Sequence, residues 1–292
     1  MKEGIVVKGI GGFYYVKTDD GIYTCKAKGT FKKDKNILYV GDYVELRVTN
    51  EEEKEGFVEK IRERKNLTIR PPISNIDRMI IISAVTDPVP DTVFIDKMLV
   101  LCEHNKIEPC LCFNKTDLTS DHSIVSDYER LGYRVVKTSA LKEIGTDSFK
   151  ELLTDGITAV AGFSGVGKSS LISRVLDFNL KTGAISDKIS RGRHTTRHVE
   201  LFEIEEGKFF ADTPGFSSLE IDSVRKEELA DLFIEFKEYE GECRFSDCSH
   251  TKERDCGILK AVNEGKILKS RHDNYVMFYE KLKMINDWER NK

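Results

Sequence analysis

Apolar and polar residues alternate in short runs at the start of the chain and then give way to longer apolar blocks. Residues 5–9, 13–17, 22–26, 43–48 and 56–61 each have the alternation, or the β-branched and aromatic content, of a short strand. Gly11-Gly12, Asp19-Asp20-Gly21 and Gly41-Asp42 fall between them as turns. Five short strands within residues 1–67 predict a small closed β-barrel of the OB type. Residues 65–72 then read as a linker, because the paired Pro71 and Pro72 forbid both continued helix and central strand.

Beyond the linker the texture changes. Residues 79–85 and 107–113 are nearly continuous apolar runs, typical of strands buried on both faces, and residues 91–103 between them repeat with a helical period. Further strands are predicted at 134–137 and 157–161, an amphipathic helix at 170–176, and a strand pair at 198–204 and 208–211. This alternation predicts a mostly parallel, doubly wound α/β sheet over residues 68–221. From Ile258 onward the pattern is helical, with Arg271, Tyr275, Phe278 and Leu282 on one face. Residues 222–292 are therefore expected to form a third, mostly helical unit, that face packing on the cysteine-bearing segment before it.

Charge and composition narrow the function. Charged residues make up 33% and hydrophobic residues 39% of the 292, which is a globular composition with length for two or three domains. The formal net charge of -4 gives no global basic signature, so any nucleic-acid contact must come from local patches. Tyr14, Tyr15 and Tyr23 with Lys26, Lys28, Lys32 and Lys33 could form one on the barrel, although alternating aromatics also build cores. No apolar run approaches the length of a membrane span and the N-terminus lacks an apolar signal core, so a cytoplasmic location is expected.

The most chemically specific stretch is Gly162-Phe163-Ser164-Gly165-Val166-Gly167-Lys168-Ser169. It fits G-x-x-x-x-G-K-[ST] between a predicted strand and a predicted helix, the context a phosphate-binding P-loop requires. The glycines let backbone N–H groups approach phosphate oxygens, Lys168 brings a point charge, and Ser169 can ligate Mg²⁺ at a helix start that favours anions. Ser170 joins this binding set. After the strand at 107–113 comes Asn114-Lys115-Thr116-Asp117, the N-K-x-D tetrad that reads guanine. Its Asp can accept two hydrogen bonds from the guanine N1–H and N2–H₂ edge and would be left unpaired against adenine. Ser139-Ala140, after the next strand, fits the small-residue loop whose backbone approaches guanine O6. Residues 178–197 are polar and aperiodic and read as a switch, with Thr195 or Thr196 reaching Mg²⁺ and the γ-phosphate. Asp212-Thr213-Pro214-Gly215 follows a buried strand, so Asp212 is expected to hold Mg²⁺ and Gly215 to sense the γ-phosphate. Phe216 stands where Ras-like enzymes carry a water-orienting Gln, so hydrolysis should be slow unaided, and His194 is the candidate catalytic group in cis.

Seven cysteines are unevenly spread. Cys110 and Cys112 on a buried strand are expected in the core, on opposite faces, as are Cys25 and Cys102 in theirs. Cys243-x₄-Cys248-x-His250-x₅-Cys256 instead supplies three thiolates and one imidazole, a closed tetrahedral site for one structural Zn²⁺. The nearby Lys260, Lys266, Lys269, Arg271 and His272 could touch RNA.

Ras-like chains run P-loop, threonine switch, D-x-x-G, N-K-x-D, S-A. Here N-K-x-D and S-A precede the P-loop, which is a circular permutation. A small barrel, a permuted GTPase and a Cys/Cys/His/Cys knuckle together resemble the ribosome small subunit-dependent GTPase A family over essentially the whole chain. The resemblance implies GTP hydrolysis to GDP, stimulated by the small (30S) ribosomal subunit late in that subunit's maturation. It implies 16S rRNA gripped by the OB-like and zinc domains, with no membrane partner, and a monomer is expected. Two rivals remain: a P-loop ATPase, against which Asn114 and Asp117 speak, and a zinc-bearing RNA-binding protein whose nucleotide site is a static sensor, against which the set Lys168, Ser169 and Asp212 speaks.

Overall fold

The computed structural model of the protein describes residues 1–27, 37–69, 71–176, 199–212 and 220–285. The first five strands fall where the alternation puts them: β1 (Lys2–Ile10), β2 (Phe13–Thr18), β3 (Gly21–Ala27), β4 (Tyr43–Asn50) and β5 (Glu55–Ile61). They neighbour one another in the order β2-β3-β5-β4-β1, and β1 pairs back with β2, which closes the barrel. Only β3 and β5 run parallel. Val6, Val16, Cys25, Val44, Leu46 and Val58 fill the interior. Tyr23 lies there too, fully buried, with its hydroxyl among Lys2, Asp20 and Glu51. It is therefore a core residue and not part of an RNA-stacking face. Among the described barrel residues the exposed aromatic is Phe13, with the Lys26 ammonium 5.1 Å from its ring centre. Lys28, Lys32 and Lys33 lie outside the described residues.

The proline-bearing connection is tightly held. Ile73 is fully buried and bridges to Val40, Leu67 bridges to Ser74, and the Thr68 hydroxyl donates to Pro71 O at 2.6 Å.

The α/β unit follows as β6 (Ile76–Ala84), α1 (Thr92–Asn105), β7 (Glu108–Asn114), α2 (Ser123–Arg130), β8 (Arg134–Lys137), α3 (Thr146–Lys150), β9 (Gly156–Ala161), α4 (Lys168–Leu176), β10 (Glu200–Glu205) and β11 (Lys208–Asp212). Strands β11, β9, β6, β7 and β8 are parallel neighbours in that order, and β10 adds an antiparallel edge to β11. One face carries Met79, Ile81, Leu111 and Phe113 against Phe94, Met98 and Leu99 of α1. The other carries Ile80, Ile82 and Val160 against Leu171, Ile172 and Val175 of α4. Helices thus cover both faces, as a doubly wound sheet requires. Cys110 and Cys112 both lie on the α4 face with Ile80, contrary to the expectation of opposite faces; side chains two apart on a strand share a side. The barrel and this sheet are continuous, because β1 pairs with β10 at Lys8↔Glu200 and the two side chains form an ion pair at 2.9 Å.

Three short 3-10 turns (Ala230–Leu232, Ile234–Phe236, Glu240–Glu242) lead to α5 (Gly257–Asn263) and α6 (Lys269–Lys283). The expected α6 face is buried at Arg271, Tyr275, Phe278 and Leu282. Arg271 does not face RNA: it is 1% exposed, pairs with Asp96 at 2.8 Å, forks onto Glu235 at 2.7 and 2.9 Å, and stacks 4.4 Å from the Phe233 ring centre. Burial opposes its charge, but the two carboxylates outweigh that and hold its pKa well above the ordinary value. His272 is buried as well, with its ring on His250 O.

Candidate functional site

Among the described residues, the loops at 114–117, 138–140 and 162–168 follow the carboxyl ends of the parallel strands β7, β8 and β9, where this architecture binds ligands. β9 ends at Ala161 and the chain turns sharply through Gly162, whose added Cβ would come within 2.3 Å of Ile82 O. The loop returns into α4 at Lys168. Gly167 has φ +89°, and a Cβ there would meet Asn114 Nδ2 at 2.3 Å. Both positions require glycine for space and for conformation, Gly162 having φ +154°. Phe163, Ser164 and Gly165 are exposed while Val166 is buried, and Ser169 and Ser170 are exposed in the first turn of α4. The Lys168 ammonium lies on Phe163 O at 2.5 Å, and burial pushes its pKa down.

Asn114 joins the base-reading loops to the phosphate loop. Its side chain is 1% exposed. Nδ2 donates to Val166 O at 2.9 Å, and Oδ1 accepts from Thr138 Oγ1 and from the Ala140 N–H, both at 3.1 Å. Three segments distant in the chain are thereby tied through one amide. Thr138 also ties β8 to the tetrad, its carbonyl accepting from Thr116 N and Thr116 Oγ1. Lys115 adopts φ 62° and donates to Asp87 O at 2.5 Å. Ser139 is fully buried and Ala140 nearly so, while Asp117 is exposed on the rim. The Asp212 backbone ends β11, which pairs with β9 through Ala211↔Ala159. The Asp212 side chain, His194, Thr195, Thr196, Gly215 and Phe216 lie outside the described residues.

The second site is the cysteine–histidine loop. Donor atoms of Cys243, Cys248, His250 and Cys256 all lie within 4.8 Å of one another. The Cys243–Cys256 sulfurs are 3.9 Å apart, and each is 3.5 Å from His250 Nδ1. A tetrahedral Zn²⁺ with metal–sulfur bonds of about 2.3 Å and a metal–nitrogen bond of about 2.0–2.1 Å has edges of about 3.8 and 3.6 Å, which the three distances among Cys243, Cys256 and His250 match. Backbone N–H groups of Gly257 and Leu259 point at Cys243 Sγ and Cys256 Sγ, and His272 and Tyr275 of α6 hold the carbonyls of His250 and Ser249 at 2.7 and 2.8 Å. Such outer contacts orient metal ligands. Burial pushes the Cys248 thiol up to about 12 and raises that of Cys256, so a cation's charge is what would make them thiolates. The cluster could hold a metal ion.

A family model described as RsgA GTPase matches residues 61–222, and one described as RsgA N-terminal domain matches residues 3–58. The chain belongs to the RsgA GTPase family. It is a GTP-hydrolysing enzyme with a P-loop GTPase fold behind an N-terminal barrel. A "Small ribosomal subunit biogenesis GTPase RsgA" of Caldanaerobacter subterraneus subsp. tengcongensis is 45% identical over 285 residues, 96% of either chain. The protein of that name in Alkaliphilus metalliredigens is 42% identical over 100% of this chain and 99% of its own. Among solved structures, YjeQ from Thermotoga maritima superposes with a TM-score of 0.83 at 36% identity, covering 98% of this chain and 99% of that one. YloQ, described as a circularly permuted GTPase, gives 0.80 at 35% identity over 97% and 95%.

Proposed function

We propose that this GTPase acts in late maturation of the small ribosomal subunit, hydrolysing GTP slowly alone and faster when docked on the 30S particle. The observation that carries the nucleotide reading is the Asn114 amide, which fixes the base loops and the phosphate loop as one pocket although the chain visits them in permuted order. In this reading Asp117 accepts from the guanine edge, Asn114, Lys115 and Thr116 shape that edge of the pocket, and the Ser139-Ala140 backbone approaches O6. The N–H groups of residues 162–170 and the Lys168 ammonium bind the phosphates. Ser169 and Asp212 offer hard oxygen ligands suited to Mg²⁺. When bound, Mg²⁺ would supply positive charge to offset that of the phosphates. Thr195 or Thr196 and Gly215 report the γ-phosphate, and His194 positions the attacking water.

The cysteine–histidine set holds one structural Zn²⁺, supported by its tetrahedral edges. The domains divide at residues 1–67, 68–221 and 222–292, with the barrel and the zinc unit contacting 16S rRNA. The protein works as a cytoplasmic monomer; no described helix is long and apolar enough to cross a membrane. Equilibrium binding to GTP, GDP, ATP and XTP, with co-sedimentation on purified small subunits, tests the reading. Guanine nucleotides should bind and ATP should not, and the GTP-bound form should sediment with the subunits. Equal binding of ATP, or no sedimentation, would refute it.

A further inference from the structure

Helix α1 touches the phosphate loop on one side and the C-terminal unit on the other. Its first turn is fixed by Asp91, whose carboxylate accepts the Phe94 N–H at 2.9 Å. Phe94 is buried and lies on Phe163, with ring centres 4.4 Å apart and planes tilted 44°. Phe163 is the second residue of the P-loop, and its carbonyl is the acceptor for Lys168. Phe94 therefore packs on the residue whose carbonyl holds the ammonium.

Asp96 is two residues further on, which turns it to the opposite side of the helix. It is fully buried. Oδ1 accepts from Tyr128 of α2 at 2.7 Å and from Arg271 of α6 at 2.8 Å, and Oδ2 accepts from Asn274 of α6 at 2.6 Å. A buried ionic cluster of this kind is weak evidence of stability, since apolar packing could hold the helices as well. What it does impose is register: donors from two helices converge on one carboxylate. The same α6 carries His272 and Tyr275, which hold the His250 and Ser249 carbonyls of the metal-ligand loop. Contacts thus run from the Ser249 and His250 carbonyls through α6 to Asp96, and the α1 backbone joins Asp96 to Phe94, which lies on Phe163.

We propose that α1 is a positioning element for the P-loop, held in register by α6, so that the state of the cysteine–histidine loop and nucleotide affinity are coupled through Asp96 and Phe94. This rests on the P-loop being the guanine-nucleotide site. Spatial contiguity alone does not establish coupling, so the test measures it.

Affinity for a fluorescent GDP analogue is measured at equilibrium on the full chain as wild type, Phe94→Leu, Asp96→Asn and the double variant, with thermal midpoints alongside. Asp96→Asn leaves Arg271 paired with Glu235, so no buried guanidinium is orphaned. Each single variant should weaken GDP binding about 5-fold or more, within the usual range of coupling between sites, and the double should fall little further than either single. Val58→Ala, a barrel-core change far from α1, should lower the thermal midpoint and leave GDP affinity unchanged. Wild-type affinity in Asp96→Asn or in Phe94→Leu overturns the proposal, as does additive loss in the double. If either variant fails to fold, amide exchange in the wild type decides: GDP should slow exchange in residues 248–257 and 269–283 as well as in the P-loop, and protection confined to the P-loop overturns it. Failure of the wild type to bind GDP would instead refute the nucleotide site itself, and the coupling with it.

Discussion

Asn114→Ala should damage the protein in a way few rim substitutions would. The amide makes one donated and two accepted hydrogen bonds while 1% exposed. Each is worth about 0.5–1.5 kcal/mol net, so their loss alone comes to about 1.5–4.5 kcal/mol. The Val166 carbonyl, the Thr138 hydroxyl and the Ala140 N–H would lose this partner in a dry setting, which places the expected cost near the upper half of that range. Thr138 Oγ1 has Cys112 Sγ within 3.4 Å and can relax toward it, which keeps the cost from going higher. About 3 kcal/mol is therefore expected in urea unfolding, read as a lower midpoint at unchanged m-value. Because the amide ties the base loops to the phosphate loop, nucleotide must now reorder both. If it supplies the lost interaction energy itself, GDP affinity falls up to about 100-fold. Stability within about 0.5 kcal/mol of wild type together with unchanged GDP affinity would show that Asn114 does not tie the pocket together.

The remaining site residues give sharper chemical outcomes. Asp117→Asn should weaken GTP and admit xanthine nucleotides, because an amide presents a donor where guanine needs acceptors; normal GTP binding in the variant would misplace the base site. Purified protein should carry about one zinc by elemental analysis, and Cys248→Ser should lose it and loosen residues 240–260 in limited proteolysis, whereas zinc-free wild type prepared without chelator would remove the metal assignment. His194→Ala should keep GTP affinity within a few-fold and lose about 10²–10⁴ of the subunit-stimulated rate in single turnover, as positioning or acid–base groups typically supply; full stimulation would exclude His194 from the reaction.

Much of this was legible in the sequence because it is local. The five barrel strands, the buried runs β6 and β7, and the helical period of residues 91–103 declare themselves within a few residues. The P-loop and the cysteine–histidine spacing are equally local. What could not be read depends on partners far away in the chain. Arg271 sits in sequence both on a packing helix face and among basic residues that could touch RNA; Asp96, the partner that decides, lies 175 positions earlier. Tyr23 could belong to an aromatic face or to the core until Lys2 of β1 and Glu51 of the turn after β4 close over its hydroxyl. The junction of β1 with β10 joins residues 192 apart and leaves no period. Asn114 was marked as a base reader, yet its buried amide faces Val166, because only the fold brings the permuted loops together.

The central claim is a GTP hydrolase whose turnover depends on the small ribosomal subunit. The direct test is steady-state phosphate release from GTP by the full chain, alone and with saturating purified small subunits, with ATP and large subunits as comparisons. The account predicts slow GTP turnover alone, a rise of about tenfold or more with small subunits only, and no ATP turnover in either case. Equal rates with and without small subunits, or ATP hydrolysed as readily as GTP, would contradict it.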